Sequence, residues 1–340
     1  MKVAVLRRAD LDLFAAVLQQ FGEVHAPVAR DGGFAFDRLA RWSDARLDCQ
    51  RTILPPKKYL LPPRETMFRY TKGKGFVPWS EDLDKKIVLF GVHACDIYGL
   101  NVLDDVFAGQ YPDPYYQTRR RNVVVIGLDC MPDEHCFCRS MNADTVERGF
   151  DLFLHDLGDR YLVRVGTALG DDLVLAAESL FRERTPADVA AYKRRSAAKA
   201  AAFRTTVEMR DVPELFELEY DSPLWEELGR RCVACGSCTA VCPTCYCYDV
   251  VDRPALTSDG ATRERVWDSC LFSSHALVAG GENFRESQAD RIKFRFYHKQ
   301  RGFVVEHGRP GCVGCGRCSV ACPAHIDMAE VLERLRGSVA

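Results

Sequence analysis

The chain writes one cysteine phrase twice, eighty residues apart. The first copy is Cys232-Val-Ala-Cys235-Gly-Ser-Cys238-Thr-Ala-Val-Cys242-Pro243; the second is Cys312-Val-Gly-Cys315-Gly-Arg-Cys318-Ser-Val-Ala-Cys322-Pro323. Both read C-x2-C-x2-C-x3-C-P. Three thiolates at this spacing can cap three irons of one cubane, while the small neighbours Gly236, Ser237 and Gly316 let the backbone wrap it closely. The proline then turns the chain away. Eight thiols must therefore face two inorganic cores, a stronger constraint on folding than any helix or strand signal. A pair of zinc sites or a disulfide framework is the alternative, but zinc sites need no four-cysteine run of this spacing.

This run is the one with which bacterial ferredoxins hold [4Fe–4S] clusters, and in two-cluster forms the fourth cysteine ligates the other cluster. The expected ligand sets are Cys232, Cys235, Cys238 and Cys322 for one cluster, and Cys312, Cys315, Cys318 and Cys242 for the other. Such a chain carries electrons.

A length of 340 residues suits two or three domains, and 47% hydrophobic with 28% charged residues is ordinary for a soluble globular protein. The formal net charge of −2 counts cysteines as neutral; three loaded clusters, at about −2 each, would bring it to about −8. Lysines and arginines are dispersed among acids, so no nucleic-acid footprint is expected. The opening Met1-Lys-Val-Ala-Val-Leu-Arg-Arg shows no apolar leader, and no run reaches about eighteen apolar residues, so neither export nor membrane insertion is expected. A cytoplasmic, anaerobic setting follows, where cysteines serve as metal ligands rather than disulfides.

The expected organisation is an α/β N-terminal domain with a parallel or mixed sheet (1–185), a helical connection (186–225), and a C-terminal α+β two-[4Fe–4S] ferredoxin-like domain (226–340) with a long insertion at 248–308. Residues 87–90 and 122–127 read as buried parallel strands joined by a helix over 96–107, which turns Ile97, Leu100 and Leu103 to one side. Residues 161–165 add another strand. The alanine-rich stretch 186–205 reads as an exposed helix carrying Lys193, Arg194, Arg195 and Lys199, and 215–230 as a helix leading into the first run. Sixty-nine residues separate Cys242 from Cys312, and this insertion is expected to fold over part of the cluster core.

Four further cysteines form a third constellation. Cys95 and Cys130 each follow a predicted strand, so adjacent parallel strands would put both thiols at the carboxyl edge of one sheet, where α/β folds build ligand sites. Cys136-Phe-Cys138 follows on a loop close enough to fold back. Together they point to a third [4Fe–4S] cluster; a structural zinc or four ordinary buried cysteines are the alternatives. Cys245 and Cys247 follow Cys242 and lie near the second cluster; with Cys270 they either pack around a cluster or form a redox-active thiol or exchangeable-sulfur site. Cys49 is read as incidental. Of the histidines His93, His135, His298 and His325, only His135, beside Cys136, suggests a replacement ligand. Two basic patches could dock partners or be solvated faces: Arg119-Arg120-Arg121, and a second comprising Arg291, Lys293, Arg295, His298, Lys299 and Arg301.

Gly91-Val-His-Ala-Cys95-Asp96, Cys136-Phe-Cys138, the stretch from Cys232 to Asp249, Trp267-Asp-Ser-Cys270, Gly280-Gly281-Glu-Asn-Phe284-Arg285, Arg295-Phe-Tyr-His-Lys299 and the closing run together carry a family likeness over nearly the whole chain. The chain resembles the iron–sulfur beta subunits of cytoplasmic sulfhydrogenases, which are [NiFe] hydrogenases, and the related iron–sulfur subunit of anaerobic sulfite reductase. The resemblance implies an electron-relay subunit between a flavin-bearing, NAD(P)H-linked partner and a catalytic partner of hydrogenase or sulfite-reductase type. The absence of a G-x-G-x-x-G phrase after a first strand fits a relay rather than a dinucleotide-binding subunit. A third reading, from another class, is an independent reductase of sulfur, polysulfide or disulfides acting at Cys245, Cys247 and Cys270.

Overall fold

A computed structural model describes residues 2–78, 83–256 and 259–339. Its strands, in chain order, are β1 (Val3–Arg7), β2 (Glu23–Arg30), β3 (Gly33–Arg38), β4 (Arg64–Thr71), β5 (Gly75–Pro78), β6 (Ile87–Val92), β7 (Val123–Leu128), β8 (Leu152–Asp156), β9 (Arg160–Val165), β10 (Phe181–Glu183), β11 (Tyr248–Pro254) and β12 (Gly260–Trp267). An eight-stranded mixed sheet has the order β10-β1-β9-β8-β7-β6-β2-β3. Its centre, β2-β6-β7-β8, is parallel, and the flanking strands are antiparallel.

Alternation along the central strands divides two cores. Val88, Phe90, Val124 and Ile126 face α1 (Leu11–Leu18), whereas Leu89, Val123 and Val125 face α2 (Ala94–Phe107). Burial on both sides explains why the expected strands at 87–90 and 122–127 read as continuous apolar runs. At the end of β6, Gly91 takes φ +83° where the register with β7 shifts. A left-handed residue there suits glycine, and the shift delivers the chain to Cys95 at the start of α2.

The second sheet, β11-β12-β4-β5, is antiparallel and joins the hairpin at 64–78 to strands from the insertion. Arg265 of β12, 1% exposed, pairs with Glu65 of β4 and with Asp113 at the N-cap of α3 (Pro114–Arg121). Arg119 also closes on Glu65, and Arg120 lies 3.1 Å from Asp104, so two members of the expected basic triplet serve internal ion pairs.

After α4 (Ala168–Ala176), the helix α5 (Pro186–Ala201) opens with a capping box between Thr185 and Asp188. It is largely exposed as expected, except that Asp188 and Lys199 are buried. The single helix expected at 215–230 divides into α6 (Val212–Leu218) and α7 (Leu224–Arg231), because Pro223 interrupts the stretch. The two cysteine runs carry α8 (Ser237–Ala240) and α11 (Arg317–Val320). Between them α9 (Gln288–Tyr297) continues through a π-helical turn, His298–Gly302, into α10 (Phe303–His307); α12 (Met328–Val339) closes the chain. Phe216, Trp225, Leu228, Ile292, Phe296, Leu332 and Leu335 form a third core on which Cys232, Cys238, Cys312, Cys315 and Cys318 rest. No helix among the described residues is long and apolar enough to cross a membrane.

Candidate functional site

The two runs fold alike. In each, the residue two after the first cysteine donates its backbone N–H to that thiol at 3.4 Å: Ala234 to Cys232, Gly314 to Cys312. Positions 234 and 314 are both left-handed, as are Gly236 and Gly316 before α8 and α11. The choice of side chain differs because the neighbours differ. A Cβ at Gly314 would sit 2.6 Å from the Phe137 carbonyl carbon, and one at Gly316 would sit 2.6 Å from the His135 carbonyl oxygen. The second run is thus pressed against the Cys136–Cys138 loop, with Phe137 N–H donating to the Gly314 carbonyl at 2.9 Å. The first run instead receives Phe272 and Ser269 of the insertion beside Gly236.

The fourth cysteine of each run lies with thiols of the other run. Cys242 of the first run joins Cys312, Cys315 and Cys318 around a small cavity closed by Phe137, Val313 and Met328. Cys322 of the second run comes beside Cys232 and Cys238. Burial pushes the Cys312 thiol up to about 12, and cationic side chains stand against that cost. Lys299, 5% exposed, donates to Thr244 Oγ1 at 2.6 Å, and Thr244 Oγ1 lies 3.2 Å from Cys242 Sγ. Arg295 spans both runs: one guanidinium nitrogen reaches the Cys238 carbonyl at 3.0 Å, another lies 3.6 Å from Cys245 Sγ, and the side chain lines the second cavity. Arg291 is likewise buried, donating to the carbonyls of Arg285 and Glu286. The basic stretch of α9 and the π-helical turn after it, which read as a docking or solvated face, therefore turns three of its cations inward. Helical spacing puts 291, 295 and 299 on one face, and thiol-rich loops make that face suitable for buried positive charge.

The third constellation also converges. Cys95, Cys130, Cys136 and Cys138 line one small cavity at the carboxyl ends of β6 and β7. Arg51 lies 3.6 Å from Cys136 Sγ and pairs with Asp133; Lys199 donates to Asp129 at 2.6 Å and to the Asp144 carbonyl at 2.7 Å. Arg51 and Lys199, both lining this cavity, carry no signal of that role in the sequence; the alternation of Lys199 with alanines resembles a solvated helix. His135 lies outside the cavity, 3.6 Å from Glu134, and the histidine that lines it is His93, held down to about 4 by burial. Cys49 is buried, and burial pushes its thiol up to about 12. His298 faces the Tyr246 hydroxyl at 3.1 Å, and the backbone at His325 is left-handed with φ +52°.

An all-thiol donor set suits iron–sulfur clusters. Among the described residues, no three His, Cys, Asp or Glu side chains gather as they would on a single metal ion. Cubane ligands bind four separate irons and need a wider cage. The close glycine approaches and enclosed apolar walls fit such a group. A separate cleft of about 350 Å³, between His25, Lys58, Arg64 and Arg119, contains no cysteine.

Residues 231–326 match the family model of the 4Fe-4S dicluster domain. No solved structure matches the chain significantly. Over 121 residues, 35% of this chain and 24% of the relative, it is 22% identical to the F420-dependent formate dehydrogenase subunit beta of Methanocaldococcus jannaschii. It is 41% identical over 319 residues, 94% of each chain, to the sulfhydrogenase 2 subunit beta of Pyrococcus furiosus. Identity sustained along the whole length, together with a dicluster domain on the crossed cysteine runs, makes this chain a member of the sulfhydrogenase beta-subunit family.

Proposed function

We propose that the chain relays single electrons between a flavin-bearing, NAD(P)H-linked partner and a catalytic partner of [NiFe] hydrogenase type, as one component of a cytoplasmic oxidoreductase complex. When bound, [4Fe–4S] groups supply one-electron redox centres. The chain's residues hold and tune them: Cys232, Cys235, Cys238 and Cys322 at the first site, Cys312, Cys315, Cys318 and Cys242 at the second, and Cys95, Cys130, Cys136 and Cys138 at a third. The observation that carries this reading is Cys315, which lines both the second cavity and the N-terminal one. Adjoining thiol cages suit a relay better than isolated structural sites. Arg295 extends the series by touching both runs, and the buried Arg295, Lys299 and Lys199, with the half-buried Arg51, offset thiolate charge within it. Likeness to a named sulfhydrogenase subunit supports hydrogenase as the catalytic partner.

Native mass spectrometry of the complex, purified anaerobically from its own source, tests the proposal. Companions matching a flavin protein and a hydrogenase pair, with three clusters on this chain, are the expected result. A sirohaem-bearing companion would move the assignment to sulfite reduction. A lone chain with two clusters would refute both the relay complex and the third site.

A further inference from the structure

Cys247 and Cys270 lie outside the cluster ligand sets and face each other. The pairing of Tyr248 with Trp267 at the end of the β11–β12 hairpin, and the 3.0 Å bond from Asp268 N–H to the Cys247 carbonyl, hold the two segments side by side. Their thiols lie close enough that each shifts the other's titration. Cys270 is buried at 4% exposure, whereas Cys247 is half-buried and lines a cleft of about 200 Å³. Lys57 stands in the same cleft, 2% exposed, donating to the Cys245 carbonyl at 2.8 Å and lying 4.3 Å from the centre of the Trp267 ring. Cys245 is differently engaged: its thiol turns to Cys242 and Arg295.

The pair is asymmetric in the way exchange chemistry requires. Cys247 lines the cleft while Cys270 is buried behind it, and the Cys270 thiol holds Cys247 below its ordinary value while Cys247 and burial push Cys270 up. The reachable sulfur is therefore the nucleophile, and the buried one is the resolving thiol.

We propose that Cys247 and Cys270 form a redox-active dithiol that reduces low-molecular-weight disulfides in the Lys57 cleft. The Cys247 thiolate attacks one sulfur of the disulfide R–S–S–R, forming a Cys247–R mixed disulfide and expelling one R–S⁻. Cys270 then loses its proton and attacks the Cys247 sulfur, forming the Cys247–Cys270 disulfide and expelling the second R–S⁻. Two electrons pass from the cysteine pair to the substrate, and the Cys270 proton together with one from solvent, replacing that lost on forming the Cys247 thiolate, end on two R–SH. Lys57 supplies positive charge beside the anionic sulfur. This inference does not depend on the relay reading, since the exchange uses no cluster.

The test mixes the anaerobically purified, iron-loaded protein, pre-reduced and desalted, with 2-hydroxyethyl disulfide. The expected result is release of about two equivalents of 2-mercaptoethanol per chain, with iron content unchanged and a Cys247–Cys270 disulfide in the alkylated peptide map. Cys270→Ser, or Cys270→Ala if the serine variant does not fold, is expected to stop at the mixed disulfide on Cys247 after about one equivalent. Cys247→Ser is expected to release none. Unchanged release by Cys247→Ser, a mixed disulfide lodged on Cys270, or both thiols still open to alkylation after treatment would overturn the proposal. Iron loss without exchange would count against the cluster sites as well, which separates the two readings.

Discussion

Arg317, between Cys315 and Cys318, forms a buried two-pronged ion pair with Asp96, the neighbour of Cys95, at 2.6 and 2.8 Å. Its Nε donates to the Thr52 carbonyl at 2.9 Å. The pair ties the second cysteine run to the sheet edge that carries the third constellation. Because both charges are withdrawn from water, they are costly apart and compatible together. Asp96→Asn should leave the guanidinium uncompensated and cost about 3–5 kcal/mol of stability. Anaerobic denaturant titration measures the loss, and the double change Asp96→Leu with Arg317→Met should recover part of it.

The equivalent left-handed positions make an internal control. Gly314→Ala would drive a Cβ into the Phe137 backbone, whereas position 234 already carries a Cβ. The expected outcome is reduced iron per chain and loss of visible absorption in Gly314→Ala, with loading close to normal in Ala234→Gly. Equal loading of the two variants would remove the packing argument for the second run.

Lys299 places a buried positive charge beside the second cavity. Lys299→Gln should lower the midpoint potential of that site by up to ~100 mV, from a Coulomb interaction of about 2 kcal/mol across ~8 Å at an effective dielectric constant of about 20. Redox titration followed by electron paramagnetic resonance reads the shift, and a rise in potential would contradict the assignment.

His298 contributes a pH dependence. Burial, followed by Lys299 and Arg285, holds its imidazole down to about 4 from an ordinary 6.5. Its folded form prefers to be neutral, so stability is complete above pH about 6.5 and is lost as pH falls towards 4, up to about 3 kcal/mol. Denaturation at pH 7.5 and 5 should show a larger acid loss for the native chain than for His298→Gln.

Cys95→Ser addresses the third site alone. It should remove one cluster's iron and its spin signal while both ferredoxin-type sites stay loaded. Full iron content in this variant would count against Cys95 as a ligand.

Much of the site was legible in the residues themselves. The spacing within each run fixes which thiols lie together, because a short loop between closely spaced cysteines has few ways to fold. Local apolar runs likewise gave β6, α2 and β7, and with them the sheet edge at which Cys95 and Cys130 meet. Tertiary structure alone decided the rest. The pairing of β4 with β12 joins residues nearly two hundred positions apart, and no local pattern at 64–71 specifies that partner. Lys199 and Arg295 read as solvated cations because their neighbours in sequence are those of exposed helices; only the fold brings Asp129, the Cys238 carbonyl and the thiol cages within reach. The same physical reason covers Cys247 and Cys270: their contact is set by strand register across a hairpin, a relation between distant backbone hydrogen bonds rather than a spacing along the chain.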